Sequence, residues 1–122
     1  MKYDYIGDLK YRNKTNLNLS TDIIPPKEIS TEYIKLSLTG QLFIKKGFCW
    51  DGATGAFDTQ DFMRGSMTHD AFCNLIAGEY LPQSYRKDAD KLLRKMLIED
   101  GMSKIRAWWV YHTIRLYVKA AY

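Results

Sequence analysis

The hydrophobic pattern changes character once along this chain, and that change limits what it can fold into. Before about residue 50 the clear pattern is alternation, and beyond about residue 58 it is the helical period. Tyr33-Ile34-Lys35-Leu36-Ser37-Leu38 alternates like a half-buried strand. Thr39–Gly40 turns the chain into Gln41-Leu42-Phe43-Ile44-Lys45, which predicts a hairpin. Three helices are expected after it. The first runs from a cap at Asp58 or Thr59 to near Ala77 and is ended by Gly78. The second starts at a Ser84 cap and stops before Gly101. The third starts at a Ser103 cap and runs almost to Tyr122. Strands first and helices after is the order of an α+β fold, not of a parallel α/β sheet. The expected architecture is an N-terminal β-hairpin or small antiparallel sheet followed by three α-helices, the first two forming an antiparallel pair.

A chain of 122 residues fits one domain. Within it, residues 1–30 are polar, rich in Asn, Thr and Lys and punctuated by Pro25–Pro26. They are expected to form a loosely packed arm with at most one short strand. Residues 31–57 hold the hairpin and a glycine-rich acidic loop, Gly47 to Ala56, with no regular period. Residues 58–122 form the helical part. Hydrophobic residues make up 46% of the chain, enough for a packed core, so disorder is not expected. The N-terminus lacks the apolar run of a secretory signal, and no stretch is long and apolar enough to span a bilayer. Two cysteines, Cys49 and Cys73, make no disulfide framework and point to a reducing compartment.

Chemistry concentrates around His69–Asp70. On a helix, Asp70 points about 100° away from His69, so one side chain faces a partner helix and the other faces a loop. Gly65, one turn earlier, allows a neighbouring element to approach closely. Residues 51–70 contain Asp51, Asp58, Asp61 and Asp70 against a single Arg64. Hard cations such as calcium take about six to eight oxygen ligands. A loop beginning Asp51–Gly52 can turn carbonyls inward, and Asp70 can close such a site. The second helix brings Asp88 and Asp90, either of which could hold a ring nitrogen of His69 and stabilise its imidazolium. A phosphohydrolase of the His-Asp type needs further histidines, and His112 is the only other one. A serine hydrolase would want a Gly-x-Ser-x-Gly elbow, which is missing. Cys73, one turn beyond His69, reads first as a small buried hydrophobe and second as a nucleophile.

Taken together, Gly47-Phe48-x-x-Asp51-Gly52-Ala53-Thr54, His69-Asp70, Arg86-x-x-Ala89-Asp90, Met96, Gly101 and Arg106-Ala107-Trp108 with Tyr111 and Arg115 resemble an uncharacterised domain family of tailed bacteriophages and prophages. The likeness covers residues 33–118. It implies a phage or prophage origin and a location in the host cytoplasm or the virion, and it implies no activity. The site alone resembles that of prokaryotic phospholipase A2. That resemblance implies that Asp51, the carbonyls near Gly52, and Asp70 hold Ca2+, that His69 is the base activating water, and that Asp90, ahead of Leu93, orients His69 in preference to Asp88. It implies hydrolysis of a lipid ester. The alternative is a non-catalytic virion, assembly or host-takeover protein that uses the same scaffold to bind protein. The chain departs from phospholipases in having Cys73 where they usually carry Tyr, in lacking their bracing disulfides, and in the hairpin ahead of the loop.

The net charge of +4 sits in residues 101–122, where Lys104, Arg106, Arg115 and Lys119 meet no acid; the first 100 residues balance. A solvated basic edge is the plain reading, and attraction to an anionic lipid surface is the other. No nucleic-acid partner is indicated. In the third helix apolar groups occupy nearly the whole circumference, leaving Lys104, Arg115 and Lys119 as a narrow polar strip. Such a helix is either central to the core or covered on a second face by a partner. A protein contact or homo-oligomer through Trp108, Trp109 and Tyr111 is expected over a membrane, because residues 1–50 are expected to supply few large core groups.

Overall fold

The structure is a computed structural model that describes residues 1–7, 10–51 and 59–121, with side chains to residue 116. The described residues hold seven strands and three α-helices. In chain order these are β1 Tyr3–Gly7, β2 Lys10–Asn13, β3 Leu17–Ser20, β4 Ile29–Ser30, β5 Ile34–Leu36, β6 Gln41–Ile44, β7 Cys49–Asp51, α1 Gln60–Ala77, α2 Arg86–Glu99 and α3 Lys104–Ala121. Strands precede helices, and the fold is α+β.

Two antiparallel sheets form, one in the order β1-β2-β7 and one in the order β3-β6-β5-β4. The expected hairpin is β5–β6, with Ile34 opposite Ile44 and Leu36 opposite Leu42. Its turn closes through Ser37 N–H to Gln41 O and Gly40 N–H to Ser37 O, both 3.0 Å. Gly40 has a positive φ of +84°, and a Cβ there would meet Thr21 O at 2.3 Å, so glycine is required.

The arm expected over residues 1–30 is instead largely strand, carrying β1, β2, β3 and β4. The short strands escape a reading by period because their outward faces are polar and their inward residues come one or two at a time. In β2 Tyr11 and Asn13 are buried while Lys10 and Arg12 are exposed. The loop expected at 47–56 also contains a strand: β7 pairs with β2, setting Tyr11 against Trp50 and Lys10 against Asp51. Residues 52–56 of that loop lie outside the described residues.

The helices follow their expected bounds with one exception. Thr59 is the cap of α1 and Gly78 its end. Ser103 caps α3, its Oγ accepting from Arg106 N–H at 3.2 Å. Ser84 does not cap α2. It lies in a 3-10 turn, Gln83–Tyr85, and α2 starts at Arg86. The end of α2 is a Schellman closure, with Met102 N–H on Leu97 O at 2.9 Å and Gly101 N–H on Ile98 O at 3.1 Å.

The first two helices run antiparallel, since low-numbered α1 residues meet high-numbered α2 residues. Arg64 grips Asp100 with Nε to Oδ2 at 3.0 Å and Nη2 to Oδ1 at 2.9 Å, while His69 meets Asp90. Gly65 is the point of closest approach, where a Cβ would lie 2.9 Å from Leu93 Cδ1 and 3.2 Å from Leu97 Cδ2. One core cluster spans both sheets and all three helices. Residues 1–50 contribute far more to it than expected: Tyr11, Ile34, Leu36, Leu42, Ile44 and Trp50 are all buried. Among the described residues no helix is long and apolar enough to cross a membrane.

Candidate functional site

His69 and Asp70 sit in the middle of α1, and the 100° between them divides their surroundings as the helix geometry requires. His69 turns to α2 and Asp70 turns to β7.

On the α2 side, His69 Nε2 donates to Asp90 Oδ1 at 2.5 Å. The Asp90 side chain is fully buried and the His69 side chain is 13% exposed. Arg86 Nε also donates to Oδ1, at 3.1 Å, and Arg115 Nη1 donates to Oδ2 at 2.8 Å. Three donors from three helices therefore converge on one carboxylate. Burial alone would push Asp90 up, but the bonds from His69, Arg115 and Arg86 outweigh it and hold the carboxyl below its usual range. Burial also pulls His69 down, yet the bond to Asp90, together with Cys73, raises it to about 9. A carboxylate is acceptor-only, so Nε2 carries a proton throughout and Nδ1 is the nitrogen that can exchange one. Nδ1 lies 3.8 Å from Cys73 Sγ.

On the β7 side, alternation along Cys49–Asp51 turns Trp50 inward and leaves Cys49 and Asp51 outside. Asp51 thereby comes up against Asp70. Burial and the Asp51 carboxylate raise Asp70 to about 6, against the pull of His69, the Asp51 backbone N–H and Arg86. A polar cavity of about 300 Å³ opens here, lined by Lys10, Cys49, Trp50, Asp51, Asp70 and Asn74. Among the described residues the buried Trp50 indole N–H has no hydrogen-bond partner.

Of the candidate residues, His69 meets Asp90, and Asp70 meets Asp51. Asp88 does not join them. It is exposed, two residues and about 200° around α2 from Asp90, in a separate cavity with Asp22, Lys91 and Lys95. Gly52 and Asp58 lie outside the described residues. Asp61 is near the start of α1, where it accepts from Thr59 Oγ1.

The basic strip expected on α3 also needs correction. Arg115 turns inward to Asp90, and its side chain is 24% exposed. Arg86 and Arg115 are the site residues that sequence reasoning did not assign. Arg86 could have been found, because it stands four residues before Asp90 on the same helix face. Arg115 is 25 residues from Asp90 and leaves no local signal. Tyr111 is not simply a surface anchor, since Arg94 Cζ stands 5.6 Å over its ring.

No protein-family model, curated protein or solved structure matches the chain. The reading of the site therefore rests on its chemistry.

Proposed function

We propose that this chain is a phage-encoded hydrolase-like domain that cleaves a carboxylic ester, with a lipid ester as its substrate class. The observation that carries this reading is the His69–Asp90 pair. A buried carboxylate, fixed by two arginines, holds Nε2 and leaves Nδ1 as the proton-exchanging nitrogen, which donates to the leaving alcohol below the ring's value of about 9 and acts as a base above it. Asp90, Arg86 and Arg115 act through His69 as positioning residues.

Asp51 and Asp70 fit a divalent cation in one respect: they share a polar cavity, and the Asp51 carboxylate stands close enough to oppose the ionisation of Asp70. Among the described residues, no group of three or more His, Cys, Asp or Glu side chains could hold a metal, so further oxygen ligands would be carbonyls or water. We propose Ca2+ as the ion and Asp51 and Asp70 as its side-chain ligands. When bound, it would polarise the ester carbonyl.

The test is release of fatty acid from mixed neutral and anionic phospholipid vesicles, in calcium and in chelator. His69→Gln should abolish turnover, and Asp51→Asn with Asp70→Asn should abolish the calcium effect on both turnover and melting temperature. A ligand at a hundredfold excess over its Kd stabilises by about 2.7 kcal/mol. Wild-type turnover no greater than that of His69→Gln would sink the hydrolase reading. Equal melting temperatures of wild type in calcium and chelator would sink the ion.

A second reading is favoured by one observation on α3. Ile105 is 75% exposed, Trp109 60% and Leu116 67%, forming an apolar stripe on a helix that buries Ala107 and Val110 on its other side. That stripe suits a non-catalytic phage protein that binds another protein.

A further inference from the structure

We infer that the nucleophile of this site is Cys73, whose Sγ takes the acyl group of an ester or thioester as a covalent thioester, with His69 as the group that exchanges the protons. The inference rests on the hydrolytic reading for its substrate class, and on separate geometry for its nucleophile.

Three observations carry it. Cys73 stands four residues after His69, so both side chains lie on one face of α1. Its Sγ is 3.8 Å from Nδ1, while the opposite ring nitrogen is held by buried Asp90 at 2.5 Å. Thiol, imidazole and carboxylate thus stand in the order in which a base orients and deprotonates a nucleophile. Third, Cys73 is not sealed into the core as a small packing residue would be. Its neighbours Ala71 and Phe72 are buried, whereas Cys73 is only half-buried. It is also free of any disulfide.

The steps balance with water as the only co-reactant. At pH 7 the ring, raised to about 9, carries a proton on Nδ1, and Sγ bonds to the carbonyl carbon as the thiolate beside it. The ester C–O bond then breaks, and Nδ1 gives its proton to the departing alkoxide, leaving alcohol, an acyl-thioester and a neutral ring. In the second half a water attacks the thioester, giving its proton to Nδ1. The C–S bond breaks, the free acid leaves, and the thiolate is restored beside the protonated ring.

Cys49 is exposed and unpaired with an imidazole, so it is an internal reference within the same chain. An ordinary exposed thiol is only a few per cent thiolate at neutral pH. The full chain would be treated with p-nitrophenyl acetate at pH 7, and acetylation of each cysteine followed by peptide mass spectrometry, with nitrophenol release read in parallel. Cys73 is expected to acetylate roughly tenfold faster than Cys49 despite its lower exposure, and His69→Gln should remove that advantage while leaving Cys49 unchanged. Acetylation of Cys73 no faster than Cys49, or equally fast in His69→Gln, overturns the proposal from the wild-type protein alone. Turnover that persists in Cys73→Ala but is lost in His69→Gln also overturns it and returns the attack to water, with the hydrolase reading intact. Fast, His69-dependent acetylation without turnover upholds the nucleophile and removes the hydrolase reading instead.

Discussion

Removing the Asp90 carboxylate leaves the guanidinium groups of Arg86 and Arg115 facing each other across a buried gap, with the His69 ring beside them. Breaking a buried ion pair by deleting one partner costs about 3–5 kcal/mol, because the remaining charge is uncompensated. Asp90→Ala is therefore expected to lower unfolding free energy by about that amount in urea titrations, whereas exposed Asp88→Ala should change it by less than about 0.5 kcal/mol. Asp70 predicts the opposite sign. Its folded-state value is raised from 3.8 to about 6, so the folded chain prefers it protonated. That contribution is fully present below pH 3.8 and lost as pH rises to about 6. At neutral pH the carboxylate is a liability, and Asp70→Asn should stabilise the protein by about 1–2 kcal/mol in chelator. A melting temperature at pH 7 that falls on this substitution would show that the carboxylate pair is not strained. The His69 half of the site was legible in part: the sequence left Asp88 and Asp90 open as its partner, and the likeness to phospholipase A2, through Leu93 three residues after Asp90, favoured Asp90. Arg115 was not, because its role depends on how α3 lies across α2, and its sequence context reads as a solvated edge.

Gly65 is where the packing of α1 on α2 is decided. An added Cβ would meet Leu93 Cδ1 at 2.9 Å and Leu97 Cδ2 at 3.2 Å, so the helices must separate or the leucines must move. Alanine is the better helix former by about 1 kcal/mol, but overpacking typically costs about 1–3 kcal/mol. Gly65→Ala should therefore be destabilising on balance, and it should stretch the His69–Asp90 bond one turn away. Chemical denaturation would check the first effect. Titration of the His69 ring by NMR would check the second, as its midpoint moves down from about 9 toward 6.5. A stabilised Gly65→Ala with an unchanged ring titration would refute this account of the helix contact. The helices and the β5–β6 hairpin were legible because each repeats its pattern long enough to be counted and carries a turn or cap residue at its ends. The strands β1 to β4 and β7 were not. They run two to five residues, face solvent on one side, and are held by partners distant in sequence, such as β2 on β7.

The aromatic face of α3 is the largest feature that the packing of the chain leaves unexplained. Trp108 and Trp109 meet edge to face at 5.1 Å, Trp108 stands 4.2 Å from the His112 ring, and Ile105 and Leu116 extend the stripe at either end. An anionic bilayer would need basic side chains around that stripe, each contributing about 1 kcal/mol. Two of the helix's cations are engaged within the fold: Arg115 on Asp90, and Arg106 Nη2 on Thr59 Oγ1 at 3.3 Å. With exposed Lys104 as the remaining basic group among described side chains, electrostatic attachment is weak, and burial against a protein surface is the expected fate of the tryptophans. Sedimentation velocity should accordingly show concentration-dependent self-association. The double substitution Trp108→Ser with Trp109→Ser should abolish it while leaving urea stability within about 1 kcal/mol, since neither ring is buried in the core. Flotation with vesicles of anionic phospholipid at low salt should recover little protein. Strong, salt-sensitive flotation of a monomer, with a blue shift of tryptophan fluorescence, would instead make this helix a lipid-facing surface.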